Sequence, residues 1–589
     1  MEQSSSLAPA FGFNDVSFRS SSLICYTKTL LIALLIMFSH VALSEDYYVT
    51  LGGDDQNSGR SVVLAWKTLA RANQHAFLPG DRLLLEAAQD FVGPLRLINI
   101  AGSKDHPIEV STHFVGKQRK KAHIDAGQGD TALALINVSH VKISHLSLSA
   151  TIPVTQQKTK GSASKKRMRI GVLVKARRPG NFTNIVLDDL DIRDVFYHQA
   201  GFSRDEAEVR TANGTQNYGW GIRVINNLKN ATISGLSIVN SMIQNVSHTG
   251  IKFSGREHNI TNVSVTNNRV INIGGPGIQL SGVKQGYFAH NQVDRSGSND
   301  DSRKWGRGSG LWTWGSREIL VERNRFTNAQ GPADSAGVHI DYNCSDVIVQ
   351  FNYSANNAGG FYEVLGNNYN TAYRYNISVN DGYRVKGKNG AFQQGKTFWL
   401  SGYNGQKKAR VGPFNSYFYN NTIFLDEDIV SSVAIDQGAA GILIANNIFH
   451  IVTKAQYVRG DQYRPDTSKG KKIVNAFFKN NLFLHQQSWP AEAPIQDSQP
   501  SFGDVKFANA RGMAIEDFRP QNKLLVKDMG LVVTQLVNDD KGLFLGLGVT
   551  HDILGQPIVG KPDFGAIELQ HTSLLVPRNL VKGDSKLGK

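Results

Sequence analysis

Short alternations of apolar and polar residues recur along most of this 589-residue chain. Such a period of two predicts β-strands with one buried face. The runs recur at irregular intervals whose minimum is in the low twenties, which predicts coils of fixed cross-section joined by loops of variable length. Five runs align without gaps: GIRVIN, GIKFSG, GIQLSG, GLWTWG and GVHIDY, which begin at Gly221, Gly250, Gly277, Gly310 and Gly337.

Asparagines that precede β-rich runs form a second repeat. In stacked coils equivalent residues lie about 4.8 Å apart, so an asparagine at a corner can hydrogen bond to the asparagine of the next coil. We therefore predict an asparagine ladder, which gives these residues a structural role. Its predicted members are Asn240, Asn268, Asn291, Asn324, Asn352, Asn376, Asn421, Asn447 and Asn481.

The aligned runs also predict which side chains face outward. Alternation turns the apolar residue after each glycine inward, so the next residue points away from the core. This outward column reads Arg223, Lys252, Gln279, Trp312 and His339. Two residues further along, a parallel column reads Ile225, Ser254, Ser281, Trp314 and Asp341. Both columns lie on one face, along which a long polymer could bind.

The next coils allow two registers. In GGFYEVLG, counting from Gly360 turns Glu363 inward, whereas counting back from Gly366 turns it outward beside His339. The doubled glycine permits a β-bulge, so we favour the outward register. TFWLSG then adds Trp399 to the column, and the nearby GYRVKG is predicted to be a loop that leans over the site.

Both ends of the repeat carry a family resemblance. Tyr47-Tyr48-Val49, Asp54, Asn57-Ser58-Gly59, Trp66 and Pro79-Gly80-Asp81 resemble the opening of secreted bacterial proteins of the right-handed parallel β-helix, or pectin-lyase-like, superfamily, and Asp563-Phe564-Gly565-Ala566 resembles its terminal coils. The expected fold is an all-β, single-domain parallel β-helix with an N-terminal cap. We assign residues 45–100 to the cap and first strands, 101–485 to the coils that carry the site, 486–570 to C-terminal coils and a closing segment, and 571–589 to a basic, disordered tail.

The N-terminus predicts export. Residues 29–38 form an apolar run after Lys28, and Ala42-Leu43-Ser44 offers a cleavage site, so residues 1–44 are assigned to a signal peptide and the protein is expected to be secreted or periplasmic. A membrane anchor is the alternative, but the run is too short for a stable span. Cleavage would leave Cys344 as the one cysteine of the mature chain, which excludes an internal disulfide.

The net charge of +15 does not indicate a nucleic-acid partner. The excess lies in residues 117–121, 151–180 and 575–589, and the rest of the chain is close to neutral. Such clusters are typical of solvated loops and tails, and no nucleic-acid-binding motif accompanies them. An anionic polysaccharide is the more plausible charged partner.

Acidic residues near the end of the outward columns predict chemistry. Asp341 and Glu363, if they face outward from consecutive coils, would lie about 5 Å apart, as the two carboxylates of retaining glycosidases do. Asp334 is the substitute carboxylate, and His339 is close enough to tune Asp341 or to act as a base. No metal or other cofactor is indicated; calcium at the acids of residues 188–194 is conceivable but has no support in the sequence.

Aromatic and basic residues predict substrate contacts. Outward-facing Trp312, Trp314 and Trp399 would stack on sugar rings, and Lys252 and Tyr362 would contact the substrate as well. Arg384 and Lys386 alternate around Val385 and would pair to bind a carboxylate or sulfate. This element resembles the basic-x-Lys element of pectin-cleaving relatives, but their paired aspartates and Gly-His-Gly element are absent in the expected order.

Three functions remain open, because the fold does not settle the activity. Hydrolysis of glycosidic bonds in an acidic polysaccharide explains the carboxylate pair. A lyase or epimerase would instead use His339, Tyr362 or Lys386 to remove the proton next to a uronate carboxylate that Arg384 neutralises. A non-catalytic polysaccharide-binding or adhesion solenoid would need the tryptophans but gives the carboxylates no role.

Overall fold

Three long parallel sheets make up the structure. The computed structural model describes residues 44–151, 167–195, 217–297, 308–389, 391, 393–404, 408–458 and 473–570. The predicted signal peptide, apart from Ser44, and the predicted basic tail lie outside these residues. Within them, successive coils add strands to the three sheets in turn, and every strand pairs in parallel with the strand one coil away. The predicted all-β parallel β-helix is therefore confirmed.

The strand bounds follow the coil order. Sheet 1 comprises Asp46–Val49, Arg82–Glu86, Ile108–His113, Val141–Ser144, Gly180–Asp188, Ala231–Val239, Ile260–Thr266, Val283–Ala289, Arg317–Glu322, Ser345–Gln350, Tyr369–Arg374, Phe414–Tyr419, Ala440–Ala445 and Val474–Lys479. Sheet 2, which carries the predicted site, comprises Leu95–Ile98, Thr131–Ile136, Arg167–Lys175, Asn217–Asn226, Thr249–Gly255, Ile278–Ser281, Leu311–Trp314, Val338–Ile340, Gly360–Val364, Lys396–Leu400, Ser431–Ile435 and Ala455–Tyr457. Sheet 3 comprises Asp90–Val92, Ala122–Asp125, Leu146–Ala150, Asp191–Val195, Met242–Val246, Arg269–Ile273, Gln292–Ser296, Arg325–Thr327, Tyr353–Ala355, Ile377–Val379, Thr422–Leu425, Ile448–Ile451, Leu482–Phe483 and Ser501–Phe502.

Helices are few and short in the described residues. Two α-helical turns span Leu69–Ala72 and Lys523–Val526, and two 3-10 turns span Gln486–Ser488 and Ile515–Phe518. No helix in this part of the chain has the length and apolar character needed to cross a membrane.

The core lies inside the coils. Every apolar residue that follows a column glycine is fully buried, as the alternation predicted: Ile222, Ile251, Ile278, Leu311 and Val338. The glycines themselves permit the close approach of neighbouring coils, because a Cβ atom at Gly250 would lie 2.6 Å from the carbonyl oxygen of Gly277. The glycine column thus sets the register of sheet 2.

The asparagine ladder forms almost as predicted. The side-chain amide of Asn268 donates to Asn291 Oδ1 at 3.0 Å, and the series continues from coil to coil until Asn481 donates to Asp497 Oδ2. Asn240 is the exception, because Ser241 takes the ladder position in its coil and donates its backbone N–H to Asn268. Asn240 itself adopts a left-handed backbone with φ of 54°, and its side-chain amide donates to Asp188.

The C-terminal segment differs from the expected coils. After Ser501–Phe502 the described chain forms no further strand, and it packs against outward-facing apolar residues of sheets 1 and 3. Asn370 donates to Asp539 Oδ1 at 2.8 Å, and Lys541 pairs with Asp346 at 2.5 Å. The segment therefore covers part of the outer faces of sheets 1 and 3.

Candidate active site

One outward column of sheet 2 organises the site. In register, it runs Arg223, Lys252, Gln279, Trp312 and His339, as the alignment predicted. The pairing of Ile340 with Val364 extends it to Glu363, which in turn pairs with Trp399. The outward register of Glu363 is thus confirmed. No bulge is needed, because Phe361 stands where earlier coils carry glycine.

The site is covered, which corrects the expectation of a solvent-exposed face. The side chains of His339, Glu363, Asp334 and Asp341 are all buried, with Asp341 the most accessible of them at 7% exposure. A charged group buried to this extent needs partners close by. The contacts among these four residues therefore define the site.

His339 links two of the carboxylates. Its Nε2 atom lies 3.9 Å from Asp341 Oδ1 and 3.6 Å from Glu363 Oε1. The imidazole ring also stacks on the indole of Trp312, with ring centroids 5.4 Å apart and planes inclined by 17°. These contacts hold the imidazole between the two acids on which the predicted chemistry depends.

Asp341 and Glu363 occupy different environments. The indole N–H of Trp312 donates to Asp341 Oδ2 at 2.8 Å, a contact that favours the ionised carboxylate. Glu363 Oε1 is buried and accepts no hydrogen bond from the described residues. Burial raises the pKa of Glu363 to about 7; the charges of Asp334 and Asp341 act in the same direction, while His339 and Lys396 oppose them. Asp341 therefore accepts a hydrogen bond that Glu363 Oε1 lacks, and the pKa of Glu363 is raised towards neutral pH.

Asp334 approaches from the preceding loop. Asp334 and Ser335 both have left-handed backbone angles, with φ of 43° and 67°, which non-glycine residues adopt at a cost in energy. Gln393 donates from Nε2 to Asp334 Oδ1 at 3.3 Å, and its Oε1 accepts the backbone N–H of Asp334. The strained turn is thus fixed by a glutamine that lies 59 residues later in the chain.

Arg384 supports this turn. Its guanidinium donates to the carbonyl oxygens of Gly331 and Gln393 and to Gln393 Oε1, at 2.8 to 3.0 Å. Arg384 is buried, whereas Lys386 is exposed. The predicted loop is confirmed, but the expected paired cationic site is not formed, because the two side chains have different surroundings.

The tryptophans differ from one another. Trp314 is 45% exposed, as its outward position predicted, and its ring packs beside Tyr342. Trp312 and Trp399 are buried, so the expectation that both form open stacking surfaces is wrong. Lys396 Nζ lies 3.7 Å from the centroid of the Trp399 ring, which places an ammonium group over that indole.

Tyr362 lies in the core, which corrects its predicted role in binding substrate or abstracting a proton. It pairs with Phe398 on the inner side of sheet 2 and packs against Phe361 and Tyr373. Since adjacent residues of a strand point to opposite faces, the register that turns Glu363 outward necessarily turns Tyr362 inward. Lys252 faces outward as predicted and donates to Ser281 Oγ at 3.3 Å.

Asp334, His339 and Glu363 could also hold a metal ion, because one ligand atom from each lies within 4.8 Å of the others. The acids of residues 188–194 instead have protein partners: Asp188 and Asp194 accept from Asn240 and Asn245, and Asp189 pairs with Lys121. Calcium there gains no support. The absence of a metal from the reaction remains a prediction.

Two residues of the site could not be found from the sequence. Gln393 reaches Asp334 from a loop, where no periodicity predicts position. Lys396 lies three residues before Trp399, so strict alternation would place it on the opposite side. The sequence offered one hint: Gln393 and Lys396 stand just before the strand motif TFWLSG.

Comparison with known proteins bears on the fold. Residues 220–423 match the family model described as the right handed beta helix region. The chain is 25% identical to a lacto-N-biosidase of Bifidobacterium longum subsp. longum over 89% of its own length, but it spans 36% of that protein. The crystal structure of the GH136 lacto-N-biosidase from Eubacterium ramulus is similar with a TM-score of 0.50 and 17% identity, over 77% of this chain and 71% of that one. The chain is thus a right-handed parallel β-helix.

Proposed function

We propose that this protein is a glycoside hydrolase that cleaves a sugar chain bound along sheet 2. The observation that carries the proposal is the pair Asp341 and Glu363, which flank one nitrogen of His339 in opposite environments. Most glycosidases use two carboxyl groups, an ionised one as nucleophile or base and a protonated one as general acid. The similarity to a lacto-N-biosidase supports this activity over the others.

In the proposed reaction, Asp341 attacks the anomeric carbon while Glu363 donates its proton to the departing glycosidic oxygen. The glycosyl ester on Asp341 is then hydrolysed by a water molecule whose proton passes to Glu363, which restores both groups. His339 would keep the two side chains apart and orient them. Asp334, within the same cluster, is the alternative partner of Asp341.

The sugar at the point of cleavage is proposed to be uncharged. Three carboxyl groups lie around His339, and an anionic sugar would be repelled there. The expectation of an acidic substrate rested on the basic excess of the chain and on Arg384 and Lys386, yet the Arg384 guanidinium is bonded to loop carbonyl groups. Glycans that contain lacto-N-biose are the first candidates, on the analogy of the Bifidobacterium relative.

Of the three bases predicted for a lyase or epimerase, His339 alone lies within the carboxylate cluster. Tyr362 is inside the core, Lys386 is exposed, and Arg384 is held within its own loop. A non-catalytic adhesion role does not explain why Asp341 and Glu363 lie in such different environments. Neither alternative is favoured by a particular contact in the described residues.

The test is a panel of aryl glycosides, including the lacto-N-bioside, together with neutral and uronate-containing glycans. New reducing ends without ultraviolet absorbance of unsaturated product would support hydrolysis; both signals together would indicate a lyase. Asp341→Asn, Glu363→Gln and Asp334→Asn should be compared with Glu257→Gln, an exposed carboxylate on the turn after Thr249–Gly255. Full activity in both Asp341→Asn and Glu363→Gln would refute the assignment, whereas loss in Asp334→Asn with normal Glu363→Gln would transfer the second role to Asp334.

Export likewise remains a proposal. The backbone nitrogen of Glu45 donates to Asp81 Oδ1 at 3.0 Å, so cleavage before Glu45 would create an α-ammonium group next to a carboxylate. Mass spectrometry of the protein recovered from culture medium or periplasm should then find a chain that begins at Glu45. Recovery of uncleaved chain in the membrane fraction would favour the anchor instead.

A further inference from the structure

Two cations lie side by side on the outer face of sheet 2, away from the candidate active site. Arg223 and Lys252 are register partners on the adjacent strands Asn217–Asn226 and Thr249–Gly255. Lys252 precedes His339 by three coils in the outward column, which corresponds to about 14 Å at the usual strand spacing. An oligosaccharide could span that distance, but a single sugar could not.

Neither cation has an acidic partner in the described part of the chain. The Arg223 guanidinium carbon lies 3.8 Å from the centroid of the Trp220 ring, and Nη1 approaches Met168 Sδ at 3.5 Å. Lys252 Nζ donates to the neutral Ser281 Oγ. Both side chains are half-buried, so water does not fully replace the missing counter-charge.

This arrangement is unfavourable in the absence of a ligand. Burial lowers the pKa of Lys252 to about 7, and the neighbouring positive charge of Arg223 acts in the same direction. Two like charges on adjacent strands destabilise a sheet when no anion lies between them. A bound anion would remove the repulsion and supply charge-assisted hydrogen bonds.

A buried apolar cluster fixes the position of Arg223 at one end of this cation pair. Ile170, Leu173, Trp220 and Ile225 form a small apolar cluster beside Arg223, separate from the core inside the coils. All four side chains are buried, so they hold the Arg223 guanidinium in place and do not themselves offer a surface to the ligand. Gln279 and Trp312 continue the column from Lys252 to His339.

We propose that Arg223 and Lys252 form a subsite for an anionic substituent, a carboxylate or a sulfate ester, on a glycan that lies along sheet 2. The subsite binds the charged group about three coils from the point of cleavage, where the sugar itself is uncharged. The part that concerns the position of the cleaved bond rests on the proposed glycosidase activity. The anion binding does not.

Binding is therefore measured separately from turnover. Size-matched oligosaccharides that are neutral, carboxylated or sulfated are titrated calorimetrically into the wild-type protein, Lys252→Met, Arg223→Met and the control Lys284→Met, whose lysine faces Glu318 on sheet 1. We expect wild-type protein to prefer one anionic series, and Lys252→Met and Arg223→Met to lose roughly tenfold in affinity for it, as for one charge-assisted contact. Affinity for the neutral series should not change, and a preference for carboxylate or sulfate identifies the substituent.

Unfolding provides a second measurement. Without ligand, Lys252→Met should melt at a higher temperature than wild type, because it removes a half-buried positive charge next to Arg223. Equal wild-type affinity for neutral and anionic glycans, or equal losses in Lys252→Met and Lys284→Met, would overturn the proposal. Charge-selective binding without any hydrolysis would overturn the glycosidase activity but leave the anion site intact.

Discussion

Trp312 donates its indole N–H to Asp341 Oδ2 at 2.8 Å while its ring lies against His339. This tryptophan looked like a sugar-stacking platform in the sequence. In the structure its buried indole N–H binds the Asp341 carboxylate. We therefore expect a substitution of Trp312 to alter the rate of the reaction rather than the affinity for substrate.

Trp312→Phe should therefore lower kcat more than it raises KM. The variant keeps an aromatic ring beside His339 but removes one hydrogen bond to a charged group, which corresponds to about 10- to 100-fold in rate. Steady-state kinetics on an aryl glycoside would measure this, with Trp314→Phe, a change at an exposed tryptophan, as the control. An effect confined to KM would show that Trp312 acts by stacking on the substrate.

The activity should fall as the pH rises through about 7. Glu363 acts as the acid in the proposed reaction, so the active form is the protonated one, and its pKa is raised to about 7 by burial. The pH profile of kcat/KM would show this alkaline limb, and Glu363→Gln should lower kcat by at least about 100-fold. An alkaline limb retained in a partly active Glu363→Gln variant would mean that another group supplies the proton.

The same shift predicts a pH-dependent stability. Glu363 in the unfolded chain loses its proton near pH 4.3, about the usual value for glutamate, whereas the folded protein retains it until about pH 7. Stability should therefore decline as the pH rises across this window, because the unfolded state binds fewer protons. Melting temperatures of wild type and Glu363→Gln should diverge between pH 4 and 7, with the variant relatively more stable at pH 7. Glu257→Gln should run parallel to wild type.

The asparagine ladder should contribute strongly to stability. Asn352 donates from its backbone to Asn376 and from its side chain to Val321, Gln350 and Asn376, all within the core. Asn352→Ala would leave buried carbonyl groups without donors and should cost about 3 kcal/mol in the free energy of unfolding. Asn240→Ala, at the position that the sequence wrongly assigned to the ladder, should cost less than about 1 kcal/mol. Chemical denaturation of both variants tests the difference.

Chelators should leave turnover unchanged. Asp334, His339 and Glu363 could coordinate a metal ion, but the proposed reaction assigns these groups to proton transfer and orientation. Dialysis against EDTA followed by activity assays would check this, with elemental analysis of the purified protein as a parallel measurement. Activity that is lost on chelation and restored by a divalent cation would show that the three residues form a metal centre.

The repeat allowed much of the site to be located before its structure was known. The gapless alignment placed His339, Trp312 and Lys252 in one column, and counting back from Gly366 placed Glu363 beside His339. Strand alternation has a fixed period of two, so the facing of a residue follows from its distance to an aligned neighbour. Prediction from the repeat failed at Asn240, where the backbone is irregular. It also failed at Arg384, whose position depends on the path of a loop.

The sequence by itself determined the coil repeat, the ladder and the outward column, because these follow from local periodicity repeated many times. Tertiary structure alone decided that Trp312 and His339 of this column are buried, that Trp312 donates to Asp341, and that Gln393 and Lys396 belong to the site. Those contacts join residues whose separation is set by loops of variable length, and loop length carries no periodic signal. The opposite environments of Asp341 and Glu363 arise from such contacts, so the chemistry proposed here depends on the fold as much as on the residues.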